Sequence, residues 1–377
     1  IQESPLEEGV IWAGSYDGLV SVTRDGGETW TDVTDGMPGL PDEAGRISNI
    51  DPSRHDAGTA YVAVNRMESG DFAPYIYRTT DYGQSWERID SSIDRSVFSP
   101  VHVVKEDPET PGLLFAGTEN GVWFSVDDGA NWQRLQRLGG EGGDGDLPAA
   151  PVYGLAVQEH ADDLVVGTYG RGVWVLDDVS PIRGLREAAG SGSPRFFEPG
   201  HAYRFRMQGA HAGTPSEVYG ENPPYGVSLD YWLPAEAEGP VRITILSADG
   251  DTVRTLTGDG AAGVNRVWWD LRHEAALEAT LRTPPPGRDW VPLGEDGTRP
   301  LVPWDLDLTR EGPLAVPGTY TAVLDVGGEE LERTVTVRKD PHTANSVEDV
   351  RAQTELALRI RDAISSASRM IDRLEWL

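Results

Sequence analysis

The amino-acid sequence predicts an all-β protein with three parts: about four blades of an incomplete β-propeller, an immunoglobulin-like β-sandwich and a C-terminal amphipathic helix. Three observations support this prediction. Glycine and proline account for 44 and 27 of the 377 residues, which favours short strands joined by tight turns. An eight-residue motif recurs three times in the first part of the chain. An apolar pattern with the period of a helix begins only near the C-terminus.

The recurring motif reads Ser/Thr-x-Asp-x-Gly-x-x-Trp. Its aspartates are 56 and 46 residues apart, and a degraded copy without the tryptophan surrounds Asp177. The defining residues are Thr23, Asp25, Gly27, Trp30, Thr79, Asp81, Gly83, Trp86, Ser125, Asp127, Gly129 and Trp132. A period of about 45–55 residues with several short strands in each unit is typical of propeller blades. Four units are few for a closed propeller, so the ring is predicted to be incomplete.

Each position of the motif has a structural explanation. The aspartate can accept backbone N–H bonds from the residues that follow it, and the glycine supplies a positive φ without steric cost. The hydroxyl can bond to the strand end, and the tryptophan can cover the hairpin against the neighbouring blade. We therefore expect these residues to stabilise turns and to take no part in chemistry.

The motif is similar to the Asp-box, or BNR repeat, of sialidases, of endoglucanases that act on xyloglucan and of sortilin-type lumenal domains. The stretches 147–152 and 167–178 resemble the last blade of bacterial sortilin-like repeat proteins, which are often labelled glycosyl hydrolases. The resemblance covers most of the chain. It implies an exported protein with an extracytoplasmic location, periplasmic or secreted.

The propeller blades are predicted over 1–182 and a linker or irregular segment over 183–222, where 186–195 is small and polar. The sandwich is predicted over 223–340, with strands at 227–233, 241–246, 252–256, 265–271, 318–324 and 331–337. The strings Asp-Gly-x-x-Val-Arg-Thr-Leu, Gly-x-Asn-Arg-Val-Trp-Trp-Asp and Pro-Gly-Thr-Tyr resemble the Ig-like domain of flagellar hook-cap proteins. That resemblance implies a structural or adhesive role for the sandwich domain.

The last segment, 341–377, is predicted to hold an amphipathic helix that begins at a capping box, Ser346 to Asp349. Its apolar positions are Val350, Leu356, Ile360, Ile364, Ala367, Ile371 and Leu374. Two interpretations stay open: the helix packs on its own sandwich, or it pairs with another helix.

No set of side chains in the sequence is recognisable as catalytic, so no catalytic residue is predicted. A sialidase needs an Arg-Ile-Pro string, and the nearest match, 46–48, has serine in place of proline. Asp17, Asp71 and Glu119 are candidate carboxylates for a glycosidase, on loops beside the repeated hairpins. The seven histidines have no metal-ligand spacing, so no metal site and no cofactor are predicted. Asp144 and Asp146 are weak calcium candidates in a glycine-rich stretch better explained as an acidic surface loop.

Tyr169 and Arg171 lie in a distinctive turn, where they could contact a ligand or partner, although a role between blades is the alternative for Arg171.

The net charge of −30 would repel nucleic acid, and no apolar run is long enough to span a membrane. The sequence therefore predicts a non-catalytic, exported binding or scaffold protein. Its partner would be another protein or the remainder of its own chain. The alternative is a glycoside hydrolase of the xyloglucanase or sialidase kind.

Overall fold

The computed structural model describes residues 1–41, 45–135, 147, 149–205, 223–299 and 311–376. The chain divides into two structural units, Ile1–Ser193 and Pro194–Leu377. None of the helices within these ranges combines the length and the apolar character that a membrane span requires.

The first unit consists of four antiparallel sheets, in which each strand pairs with the next along the chain. Blade 1 contains β1 (Gln2–Glu3), β2 (Ile11–Gly14), β3 (Val20–Thr23) and β4 (Thr31–Asp32). Blade 2 contains β5 (Arg46–Pro52), β6 (Ala60–Asn65), β7 (Ile76–Thr79) and β8 (Glu87–Arg88). Blade 3 contains β9 (Val101–Glu106), β10 (Leu114–Thr118), β11 (Gly121–Ser125) and β12 (Gln133–Leu135). Blade 4 contains β13 (Val152–Gln158), β14 (Asp163–Thr168) and β15 (Val173–Leu176).

Consecutive blades pack face to face over apolar cores. Trp12 and Tyr77 lie in the core between blades 1 and 2, and Leu114 lies in the core between blades 2 and 3. Phe115 and Leu164 lie in the core between blades 3 and 4. Strands β6 and β10 are buried on both faces, as the middle blades of a stacked series require. The predicted all-β fold with four blades of an incomplete propeller is confirmed.

The three motif turns share one hydrogen-bonding pattern. Each aspartate accepts a bond from the N–H of the residue four positions later, at 2.9, 2.9 and 2.8 Å for Asp25, Asp81 and Asp127. Each Ser or Thr hydroxyl accepts the N–H of the motif glycine, at 3.0, 2.9 and 2.9 Å. The carboxylate and the hydroxyl thus hold both sides of the turn.

The motif tryptophans of blades 2 and 3 bond to the preceding blade. Trp86 donates its indole N–H to the carbonyl of Val33 at 2.9 Å, and Trp132 donates to the carbonyl of Ile89 at 2.6 Å. Both side chains are buried, whereas Trp30 of blade 1 is 44% exposed. The motif tryptophan therefore joins a blade to the one before it.

Blade 4 keeps the backbone turn of the degraded motif but not its side chains. Asp178 has a φ of 54°, close to the 59° and 62° of Tyr82 and Asp128 at the same position. Val179 stands in place of the glycine and Ile182 in place of the tryptophan, and both are buried in the core between blades 3 and 4. The chain then continues into α1 (Ser180–Arg183), so no fourth strand is described in this blade.

The motif glycines predict a difference in stability between blades. Gly129 has a φ of +85°, and a Cβ there would lie 2.6 Å from Cδ1 of Ile89 in the preceding blade. Gly27 has a φ of +98°, but its Cβ would meet nothing nearer than 3.8 Å. We expect Gly27→Ala to cost about 1–2 kcal/mol from backbone strain alone. Gly129→Ala should cost a further ~1–3 kcal/mol from overpacking, measurable by urea denaturation. Equal losses would contradict the contact between blades.

The second unit contains a sandwich of two sheets. One sheet has the order β16 (Arg195–Phe196), β18 (Val227–Leu233), β21 (Gly263–Trp269). The other has the order β17 (Ala202–Arg204), β23 (Glu329–Lys339), β22 (Gly318–Val326), β19 (Val241–Leu246), β20 (Thr252–Gly258). Only the pairing of β17 with β23 is parallel among these described strands. Tyr231, Ile243, Trp269 and Leu324 lie in one shared core, so the predicted sandwich is confirmed.

The segment 183–222 differs from the irregular linker that the sequence predicted. Its described part contains α2 (Leu185–Ser191) and the sandwich strands β16 and β17. The residues 185–189 are leucine, arginine, glutamate and two alanines, all strong helix formers, and Ala188 is buried. The glycines and serines at 190–193 made the segment as a whole read as a linker, although the five residues before them favour a helix.

The C-terminal helix, α3 (Val347–Glu375), begins at the predicted capping box. Ser346 Oγ accepts the N–H of Asp349, and the Asp349 carboxylate accepts the N–H of Ser346 at 2.9 Å. The predicted amphipathic helix is confirmed, and it packs against its own unit through one face.

Candidate binding site

A single residue is bulged at the start of the inner strand in blades 2, 3 and 4. The pairing of β5 with β6 skips Ser48, that of β9 with β10 skips His102, and that of β13 with β14 skips Tyr153. A β-bulge leaves one residue outside the ladder and changes the direction of its side chain. All three residues line one cavity of about 560 Å³. The bulges therefore bring residues of three consecutive blades to one site.

His102 lies at the centre of a buried hydrogen-bonded network. Its Nε2 is 2.7 Å from Oε1 of Glu119, and its Nδ1 is 3.1 Å from Nδ2 of Asn65. The Asn65 Oδ1 already accepts the N–H of Met67, so the amide nitrogen faces the imidazole and donates to it. Nδ1 is therefore the acceptor, and Nε2 carries the proton that is donated to Glu119.

The pKa of His102 agrees with this neutral tautomer. Burial lowers the pKa of the imidazole below its usual value, and the nearby Arg46 guanidinium lowers it further. The hydrogen bond and charge of Glu119 act in the opposite direction but do not outweigh burial. His102 is thus a neutral, oriented group that holds Glu119 and supports the floor of the cavity.

Two exposed tyrosines, Tyr16 and Tyr153, line the cavity, and a third, Tyr169, packs beside Tyr153. Tyr153 stacks on His102 with ring centroids 4.0 Å apart and is still 50% exposed. Tyr169 lies 5.9 Å from Tyr153, centroid to centroid, and is 76% exposed. Tyr16 also lines the cavity, and its hydroxyl donates to Glu68. Tyrosine presents a large rigid surface with a polar tip, which suits it to contact with a ligand.

Arg46, the first residue of β5, supplies a positive charge at the cavity. Within the part of the chain that the structure describes, its exposed guanidinium makes no ion pair. The positive charge of Arg46 acts to lower the pKa of each of Tyr16, His102 and Tyr153. The Arg46 guanidinium therefore lies near all three side chains. The neighbouring Arg66, in contrast, is buried and bonds to Asp71 at 3.1 Å.

Two of the three candidate carboxylates bond to side chains that line the cavity, Glu119 to His102 and Asp71 to Arg66, but neither lines the cavity itself. Glu119 accepts the His102 bond. Burial would raise the pKa of Asp71, but hydrogen bonds from the Tyr75 hydroxyl, the Ala73 N–H and Arg66 lower it overall. Asp17 is exposed beside Tyr16. The acid of a glycosidase needs a raised pKa, which Asp71 lacks.

The two predicted contact residues have different positions. Tyr169 does not line the cavity but packs beside Tyr153, which does. Arg171 is exposed, does not line the cavity, and accepts the indole N–H of Trp174 on its carbonyl at 2.9 Å. Asp144 and Asp146 lie outside the described residues. Among the residues that are described, no group of three or more His, Asp or Glu side chains could hold a metal ion.

The fold and this cavity define a β-propeller protein with a candidate binding face. No protein-family model matches the sequence, and no curated protein matches it either. Solved structures with a similar fold include the GH74 enzyme of Niastella koreensis, at 13% identity and a TM-score of 0.35 over 47% of this chain and 27% of its own. The GH74 xyloglucanase from Xanthomonas campestris aligns at 16% identity and a TM-score of 0.36 over 88% of this chain and 44% of its own.

YCF48 bound to D1 peptide aligns at 13% identity and a TM-score of 0.31, over 86% of this chain and 76% of its own. By the alignments to the two GH74 proteins, this chain spans less than half of the length of either. At these identities and TM-scores the similarities carry no conclusion about activity.

Proposed function

We propose that this chain is a non-catalytic binding protein that holds a segment of a protein partner on the propeller face around Arg46. The proposal rests on a cavity lined by Tyr16 and Tyr153, with Tyr169 packed beside Tyr153. The one exposed arginine of this cavity, Arg46, has no ion pair among the described residues. Tyrosine and arginine dominate the energetic centres of protein interfaces. The face offers rigid aromatic surface, a positive charge and a preformed floor.

The alternative function, a glycoside hydrolase, has less support at this site. Aromatic rings beside carboxylates are also suited to sugars, which keeps glycans among the ligands to test. However, hydrolysis requires one protonated acid and one base or nucleophile on opposite sides of the scissile bond. Glu68, Asp71 and Glu119 accept hydrogen bonds from Tyr16, Tyr75 and His102, respectively. For Asp71, the bonds from the Tyr75 hydroxyl, the Ala73 N–H and Arg66 hold the pKa below its usual value, which does not suit a protonated acid.

The test is a random-peptide display selection on the immobilised chain, followed by calorimetric titration of the enriched peptides. We expect Arg46→Ala and Tyr153→Ala to weaken binding at least about tenfold each, which corresponds to ~1.4 kcal/mol. Trp290→Ala is the control, because Trp290 is an exposed aromatic residue of the second unit, outside the proposed face. Peptides that bind all variants equally would contradict the proposed face.

A second arm tests the alternative with xyloglucan oligosaccharides and sialyllactose. The binding proposal predicts no turnover of either glycan. Turnover that is lost in Glu119→Gln but kept in Trp290→Ala would replace the binding proposal with the hydrolase.

We further infer that the motif turns are Asp-boxes of the exported sortilin-like kind, and that the sandwich is an Ig-like appendage. The shared hydrogen-bonding pattern of the three turns supports the first inference. An extracytoplasmic location fits the net charge of −30, since dissolved salt screens the self-repulsion of such a surface. Fractionation of the source cells would test the location, and recovery in the cytosol would contradict it.

A further inference from the structure

Helix α3 has two opposite faces, and the apolar one points to solvent. The face against its own unit contains Thr354, Leu358, Arg361, Ser365, Ser368, Asp372 and Glu375, all buried or half-buried. The opposite face, here called the outer stripe, contains Leu356, Ile360, Ala363, Ala367, Met370 and Leu374. All six are exposed. In a surface helix of a globular protein, the apolar face ordinarily packs on the core and the polar face meets solvent.

The inner face is held by polar contacts to the backbone of an extended segment. Ser365 Oγ accepts the N–H of Leu277 at 3.0 Å, and Asp372 accepts the N–H of Thr280 at 2.6 Å. Glu375 accepts the N–H groups of Arg282 and Thr283 at 2.7 and 2.8 Å. These bonds fix the rotation of the helix, so it cannot turn its apolar side inward without losing them.

The outer stripe has the spacing of a coiled-coil seam. Its residues follow one another at steps of four and three, which is the a/d pattern of a heptad repeat. Ile364 and Ile371 widen it on one side. Leu356, Ile360, Ile364, Met370 and Leu374 expose between 45% and 68% of their surface. A contiguous apolar patch of this extent on a soluble protein marks an interaction site.

We propose that the outer stripe pairs antiparallel with the same stripe of a second copy of this chain. In an antiparallel pair the stripe matches itself in size from end to end. Leu356 of one copy would face Leu374 of the other, Ile360 would face Met370, and Ala363 would face Ala367. In this pairing large apolar residues meet at both ends of the seam, and the small Ala363–Ala367 pairs let the two helices approach most closely at its centre.

Area and charge agree with self-association. The stripe and its flanking isoleucines offer on the order of 600 Å² on each copy, so pairing would bury about 1,200 Å² in total, at the lower end for a specific interface. The helix contains six acidic and five basic side chains, a net charge of −1. It is thus a nearly neutral surface on a chain of net charge −30, and two helices can meet without strong repulsion.

Sedimentation velocity of the full chain tests the proposal. We expect a monomer–dimer equilibrium at micromolar concentration. Ile360→Glu should weaken the dimer at least about 100-fold because it buries a carboxylate in the seam. Arg369→Glu is the matched control, since Arg369 is exposed on the same helix outside the stripe. A monomer at about 100 μM, or a dimer that Ile360→Glu does not weaken, would overturn the proposal.

Disulfide cross-linking tests the direction of pairing without disrupting the helix, because the chain has no cysteine of its own. In the antiparallel pair, position 363 faces position 367 of the other copy. We expect a mixture of the single variants Ala363→Cys and Ala367→Cys to form a mixed disulfide, and neither variant alone to form one efficiently. Efficient self-linking of each single variant would show a parallel pair and overturn the antiparallel arrangement.

Discussion

Trp132→Ala is expected to lower the free energy of unfolding of the first unit by about 3–5 kcal/mol, the usual cost of removing a buried aromatic side chain. The indole fills the core between blades 2 and 3 and donates to the carbonyl of Ile89 in the preceding blade. The substitution removes the packing, leaves a cavity and leaves that buried carbonyl without its donor. Thermal and urea denaturation measure the loss.

Trp30→Ala is the matched control for Trp132→Ala. It occupies the same motif position in blade 1, follows the same hydrogen-bonded turn, and is 44% exposed. We expect a loss of about 1 kcal/mol or less, since little buried surface disappears. Similar losses at both positions would mean that the motif tryptophan stabilises its own hairpin and does not join neighbouring blades.

Arg183→Met is the other substitution with a large expected effect, about 3–5 kcal/mol, the typical cost of removing one partner from a buried ion pair. Arg183 bonds to Asp107 at 3.1 Å and to Asp162 at 2.6 Å, and so joins blades 3 and 4. The Asp107 side chain is completely buried. Methionine retains most of the packing volume, so the loss would report the three carboxylates of Asp107, Asp162 and the more exposed Glu109 left without their cation.

Arg54→Met provides the comparison for Arg183→Met. Arg54 bonds to Glu159, but both side chains are about half exposed. An exposed pair contributes roughly 0–1 kcal/mol, so we expect only a small change in the urea midpoint. A loss as large as that of Arg183→Met would contradict the role assigned to burial.

The sequence predicted the repeated turns and most sandwich strands because their signals are local. Strand β18 has the predicted bounds, and Asp25, Asp81 and Asp127 are recognisable from eight-residue strings. The cavity was not predictable in this way. Ser48, His102 and Tyr153 are three different residue types, and a bulge of one residue disturbs the alternation of a strand only slightly. An alignment of the inner strands of the blades would have placed these three residues at equivalent positions, which was the one available signal of a shared site.

The helix shows a second limit of sequence patterns. The apolar positions of α3 predicted an amphipathic helix, but a pattern does not say which face meets the protein. Here the decision rests on side chains such as Ser365 and Asp372, which bond to the backbone of residues about 90 positions earlier. Contacts of that separation depend on the tertiary fold, which the helical period does not encode.

The central claim is that bulged residues of consecutive blades meet at one cavity, with His102 as a neutral, oriented group at its floor. Long-range ¹⁵N–¹H correlation spectra of the imidazoles test it most directly, with His102→Gln to assign the signal. We predict a proton on Nε2, an unprotonated Nδ1, and a neutral ring that persists below the pH at which exposed histidines titrate. A ring that titrates like an exposed histidine, or that carries its proton on Nδ1, would contradict the network and the site built on it.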